Sequence, residues 1–101
     1  MQFVVTAYDG TDDFALERRL GARAEHLKSV EKRFDEGNHL YGAALLDDTE
    51  KMIGSMMVVD YPSKEALDEW LKEEPYVTGN VWQRIEISPC KVAPIFMDLN
   101  K

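Results

Sequence analysis

The sequence predicts an α+β fold: four strands and two helices in the order β-α-β-β-α-β. Three observations carry that prediction. Two stretches place apolar residues three and four apart, the helical period. Four shorter stretches are rich in β-branched and aromatic residues. Turn signals (Asp9-Gly10, Gly37-Asn38, Asp47 to Glu50, Tyr61-Pro62-Ser63) separate these stretches.

Gln2 to Tyr8 reads as the first strand, with Phe3, Val5 and Ala7 on one face and Val4, Thr6 and Tyr8 on the other. After the Asp9-Gly10 turn, Thr11 or Asp12 is the expected N-cap of a long helix from Phe14 to Asp35, stopped by Gly37. At about 100° per residue, Leu16, Leu20, Leu27, Val30 and Phe34 fall on one stripe, which is expected to pack on the sheet. Leu40 to Leu46 and Met52 to Val59 are the second and third strands, joined by a polar hairpin loop. Ser63 is the expected cap of a second helix whose apolar side is Ala66, Leu67, Trp70 and Leu71, and Pro75 is expected to end it. Residues 76–81 read as a connector. Trp82 to Ile87 opens the last strand, with a continuation past Pro89 to Phe96 in view; that proline suits a sheet edge or a bulge. This order is the split-βαβ or ferredoxin-like arrangement, with two helices on one face of a four-stranded antiparallel sheet.

Residues 43–46 (AALL) and 56–59 (MMVV) are apolar at consecutive positions, so both faces of those strands call for burial. Helices cover one face only. A second copy packing sheet to sheet would cover the other, giving a homodimer through the open sheet face; a tail around Ile95-Phe96-Met97 is the alternative cover.

Composition bounds the function. With 101 residues, one domain spanning 1–101 is expected, and its core is thin. No apolar run reaches the roughly 18–20 residues of a membrane span, and the opening MQFVVTAYDG lacks a basic n-region, so a cytoplasmic location is expected. A net charge of −7 argues against nucleic-acid and anionic-membrane partners. Cys90, alone, can form no internal disulfide and reads as a structural thiol. Yet Arg18, Arg19, Arg23 and Arg33, four of the five arginines, share one helix, which leaves room for a local anion site.

Arg23 lies seven residues past Leu16, in the middle of the apolar stripe, with Arg19 and His26 on one flank. A guanidinium there must meet a carboxylate, an anion or water, or snorkel over the sheet. His26 is either a satisfied structural histidine or the best general base in the chain. His39, beside the Gly37-Asn38 turn, reads as a turn residue. The histidines share no metal-ligand spacing, and nucleotide loops and a nucleophile elbow are missing, so neither metal nor cofactor is expected. Glu73 and Glu74 end a helix where the dipole disfavours negative charge, which calls for compensation or plain solvation.

LERRLGARAEHL, residues 16–27, resembles the R-x-x-H-L motif of the first helix in the YciI-like (YCII-related) family, here Arg23, His26 and Leu27. Glu74-Pro75-Tyr76 with Gly79 resembles that family's D-P-[FY] motif with its following glycine, Glu74 standing where aspartate is usual. Pattern and element order match over roughly residues 2–96. The resemblance implies a dimeric ferredoxin-like, α/β-barrel assembly with a histidine–carboxylate pair in a cleft. One branch of the family is implicated in dehydrochlorinating a chlorinated aromatic breakdown product. Carried over, His26 is the base and Glu74 its orienting carboxylate, with Arg23 pairing an acid or holding a substrate oxyanion. A carboxylate on one ring nitrogen fixes the tautomer and raises the basicity of the other. Arg19 is a further substrate-binding candidate, and Tyr8, Tyr76 and Trp82 are candidate pocket walls suited to a flat ring. The expected function is a cofactor-free enzyme of a small aromatic or lactone-like acid, acting by proton abstraction as an isomerase or lyase. The alternative is a non-catalytic module that binds a small anion or a partner in the same cleft. A cofactor-independent monooxygenase is a third option by fold analogy alone.

Overall fold

Alternation in the first strand sets the architecture: Phe3, Val5 and Ala7 are at most 2% exposed, and everything else packs around them. A computed structural model describes residues 1–97; residues 98–101 of the expected domain lie outside them. In chain order the elements are β1 (Gln2–Asp9), α1 (Ala15–Asp35), β2 (His39–Leu46), β3 (Met52–Asp60), α2 (Lys64–Leu71), α3 (Pro75–Thr78), β4 (Trp82–Cys90) and α4 (Pro94–Met97). The strands form one antiparallel sheet of order β2-β3-β1-β4, the ferredoxin-like arrangement. Val5 sits opposite Met57 on β3 and Ile87 on β4, which fixes one apolar face. Onto that face pack Leu67 and Trp70 of α2 and Tyr76 of α3. Among the described residues no helix is long and apolar enough to cross a membrane.

Local sequence explains most of these elements. Ser63, in extended backbone, accepts a hydrogen bond from the Ala66 N–H and caps α2, whose inward side is the expected one. Gly54 is required by close approach: a Cβ there would lie 2.5 Å from the Ala7 carbonyl oxygen on the neighbouring strand. Pro89 lies on β4, an edge strand, where a missing N–H is tolerated.

Four expectations about the elements are corrected. The Leu20, Leu27 and Phe34 side chains are 52%, 47% and 50% exposed, so the leucine stripe of α1 does not pack on the sheet. The helix instead turns Ala15, Arg19, Ala22 and His26 inward, a rotation of roughly 95°. Polar partners on the sheet and on α3 cause this rotation, as described below. Second, α1 starts at Ala15 after an N-cap Phe14 that makes no side-chain cap bond. Asp12 accepts from the Phe14 N–H while holding Arg18 in a two-pronged ion pair. Third, Pro75 does not terminate the second helix: α2 ends at Leu71, and Pro75 opens α3. Fourth, β4 stops at Cys90, and the tail turns into α4 with Ile95 and Phe96 exposed. Gln2 tethers this tail, accepting from the Val92 N–H at 2.6 Å. The opposite sheet face, built from Val4, Thr6, Met56 and Val58, is only half-buried.

Candidate active site

The departure at Glu74 is where the site begins. Glu74 is the N-cap of α3, in extended backbone, and Pro75 occupies the first turn. Its Oε2 accepts from the Tyr76 N–H at 2.7 Å. Its Oε1 lies 2.8 Å from Nδ1 of His26. An ionised carboxylate can only accept, so Nδ1 is the protonated nitrogen and Nε2 is left for chemistry. The glutamate is fully buried and the His26 side chain 11% exposed. The extra methylene relative to aspartate thus spans cap and imidazole at once. Gly79 is required at the end of α3: a Cβ there would lie 2.8 Å from the Pro75 carbonyl oxygen.

Aromatic rings fix the imidazole. Tyr76 stacks on it at 3.9 Å between centroids, and Trp82 meets it edge-on at 5.8 Å. Burial pushes the Tyr76 hydroxyl up from its ordinary range, opposed by the charges of Arg19 and Arg23, so the ring stays a neutral phenol.

A second buried polar cluster adjoins the first. Arg19 is 3% exposed; its Nη1 reaches both Asp9 oxygens, at 2.9 and 3.1 Å, and its Nη2 reaches Ser55 Oγ at 2.9 Å. Trp82 Nε1 donates to the same Ser55 oxygen at 3.2 Å. The guanidinium also lies over the Tyr76 ring, 4.8 Å from its centroid. Burial pushes the Asp9 carboxyl above its usual value, and Arg19 only partly offsets this. These partners, together with Glu74, draw the polar face of α1 inward.

The two clusters meet at a cavity of about 220 Å³ between α1 and β2, lined by Arg19, Arg23, His26, His39, Ser55 and Tyr76 among others. His39 is 4% exposed, with its Nδ1 buried and without a partner. Burial, assisted by the charge of His26, pushes its pKa down to about 4, so the ring is neutral at pH 7.

Of the candidates from sequence, the fold brings His26, Glu74, Tyr76, Trp82 and Arg19 together. Arg23 lines the same cavity from an exposed position. Tyr8 does not join them: β1 alternation turns it to the other sheet face, under Arg84 at 4.1 Å and beside a separate open groove. Arg19, expected on the flank of the stripe, is the buried arginine, while Arg23, expected at its centre, is exposed. Three residues of the site were missed. His39 was read as a turn residue and Asp9 as turn punctuation. Ser55 is the lone hydroxyl in MIGSMMVV, and a polar residue inside an apolar strand is itself a signal. Among the described residues no cluster of three or more His, Cys, Asp or Glu side chains could hold a metal ion.

Residues 1–91 match the model of the YCII-related domain. The chain belongs to the YCII-related family. The resemblance seen in the helix and Glu-Pro-Tyr motifs is thereby borne out. Within the YCII-related family, the chain is similar to protein YciI of Escherichia coli O6:H1. They are 30% identical over 97 residues, covering 90% of this chain and 97% of that one. Among solved structures, it is similar to 5-chloro-2-hydroxyhydroquinone dehydrochlorinase from Burkholderia phenoliruptrix AC1100, described in complex with 2,5-dihydroxybenzoquinone. The TM-score is 0.79 at 18% identity, covering 92% of this chain and 96% of that one. A dimeric ferredoxin-like protein from an uncultured marine organism aligns with TM-score 0.55 at 15% identity, covering 90% and 94%. At these identities the structural neighbours establish the fold.

Proposed function

We propose that this YCII-related chain is a cofactor-free cytoplasmic enzyme that removes a proton from a small, flat organic acid, as an isomerase or lyase. His26 is the base and Glu74 orients it. The observation that carries the reading is the contact of 2.8 Å between His26 Nδ1 and a fully buried Glu74, which fixes the tautomer and leaves Nε2 as the acceptor. Protonation of Nε2 creates an imidazolium beside a carboxylate already in place, so no reorganisation is needed as charge develops. Arg23, at the edge of the cavity, meets the acid group of the substrate. A cavity of about 220 Å³ suits a single ring; sites for drug-sized ligands run to roughly 300–1,000 Å³. The dehydrochlorinase among the structural neighbours supports a ring bearing several oxygens, and makes 2,5-dihydroxybenzoquinone the first ligand to try. The dimeric ferredoxin-like neighbour supports a second copy on the half-buried sheet face.

The test is proton exchange. In D2O, small aromatic acids and hydroxylated rings are incubated with the protein and followed by NMR for deuterium uptake and rearrangement. His26→Ala should lower the exchange rate by roughly 10²–10⁴-fold while the oligomer persists. Glu74→Gln keeps an oxygen for the Tyr76 N–H but loses the charge beside His26, and should lower exchange with little change in melting temperature. Exchange undiminished in His26→Ala would sink the assignment. A ligand that binds yet returns unexchanged would make the cleft a binding site only.

A further inference from the structure

Ser55 carries more hydrogen-bonding capacity than the fold uses. A hydroxyl offers two lone pairs and one proton. Both lone pairs of Ser55 Oγ are taken, by Arg19 Nη2 at 2.9 Å and Trp82 Nε1 at 3.2 Å. Arginine and tryptophan only donate, so neither can receive the Ser55 proton. Among the described residues Ser55 Oγ accepts these two hydrogen bonds and gives none. Ser55 is 5% exposed and lines the cavity. A buried hydroxyl with filled lone pairs is an obligate donor, and two donors pulling on its oxygen strengthen the hydrogen bond it gives.

Arg19 holds that hydroxyl in place. Its Nη1 and Nη2 are satisfied by Asp9 and Ser55, but its Nε is buried without an acceptor. The hydroxyl and the guanidinium that braces it belong to bonded neighbours that line one cavity. His26, whose Nε2 is free, lines it too.

We infer that Ser55 Oγ–H, braced by Arg19 Nη2, forms a subsite for a carbonyl oxygen of the ligand. The inference rests on the proton-abstraction reading and narrows the substrate to an acid carbon next to a carbonyl, or a ring hydroxyl conjugated to one. In the step itself the C–H or O–H bond breaks and its proton goes to His26 Nε2. The electron pair moves through the conjugated system to the carbonyl oxygen, which becomes the oxyanion held by Ser55. No oxidant or reductant enters. Asp9 balances the guanidinium, so the subsite takes an oxygen whose charge grows during the reaction rather than a fully formed anion.

Two measurements test this. A neutron structure of the perdeuterated protein shows where the Ser55 O–D vector points. Toward the cavity supports the subsite, and toward a backbone carbonyl overturns it, whatever the role of His26. Titration with 2,5-dihydroxybenzoquinone, followed by its absorbance, then compares wild type, Ser55→Ala, Ser55→Thr and His26→Ala. At least tenfold weaker binding in Ser55→Ala, recovered in Ser55→Thr and with His26→Ala still binding, supports the subsite. Wild-type affinity in Ser55→Ala overturns it and leaves the His26 assignment standing. Failure of wild type to bind the quinone overturns the oxygen-rich ligand class assigned to the cavity. If Ser55→Ala does not fold, the neutron result decides.

Discussion

His39 is the residue whose burial has the clearest thermodynamic signature. Its pKa falls from 6.5 in the unfolded chain to about 4 in the fold, because burial disfavours the imidazolium and His26 opposes it further. Glu74 pulls the other way and Arg33 adds to the fall, while Trp70 meets the ring edge-on at 6.3 Å. Between those two pKa values the unfolded chain binds a proton that the folded chain does not. Stability therefore rises with pH across this window, is fully present above about pH 6.5, and loses up to about 3 kcal/mol by pH 4. Asp9 contributes with the opposite sign: its raised pKa means the folded state holds the proton longer, so its share falls as pH rises through the window above 3.8. Urea unfolding at several pH values between 4 and 7 should show the net slope. His39→Gln should flatten it, and an unchanged slope would place the acid sensitivity elsewhere.

At the scale of the element, α1 is where the structure departs furthest from the pattern. Its inward face is held by Arg19 to Asp9, Arg19 to Ser55 and His26 to Glu74, which reach 10, 36 and 48 residues along the chain. Arg19→Ala should therefore destabilise the protein by about 3–5 kcal/mol, because it leaves Asp9 buried and unpaired. Leu20→Gln, in the middle of the apparent core stripe, should stay within about 0.5 kcal/mol. Thermal unfolding of the two variants distinguishes a helix seated on its polar face from one seated on its leucines. The contrast also shows what a single sequence discloses. Strand alternation at Phe3, Val5 and Ala7, the Ser63 cap and the edge proline were legible, since each signal is local. Helical periodicity records which side chains are apolar but is blind to carboxylates supplied by distant elements, so the rotation of α1 was not legible. His26 and Glu74 could be named through motifs; Asp9 and His39 could not, because their roles exist only in the assembled sheet, and Ser55 was marked only by its polarity within an apolar strand.

For the whole molecule, the half-buried side of the sheet is the surface the proposed dimer would cover. Met56 and Val58 lie half-buried at its centre, beside Val4 and Thr6. A glutamate at Met56 should shift the proposed dimer toward monomer by at least tenfold in dissociation constant, read by sedimentation equilibrium. Unchanged mass in Met56→Glu would move the interface to another surface. The strand order also has a bearing on synthesis. β1 leaves the ribosome first of the four strands and β4 last, yet the two are direct neighbours in the sheet. At about 5–20 residues per second, β1 waits for a few seconds with one side unpaired after β3 has emerged. Trp82, whose indole closes the Ser55 cluster, arrives only with β4. During that interval a nascent chain has Arg19 and Ser55 but not the indole that donates to Ser55. Co-translational docking of β4 is thus the moment at which the Ser55 cluster gains its last donor and β1 its second partner.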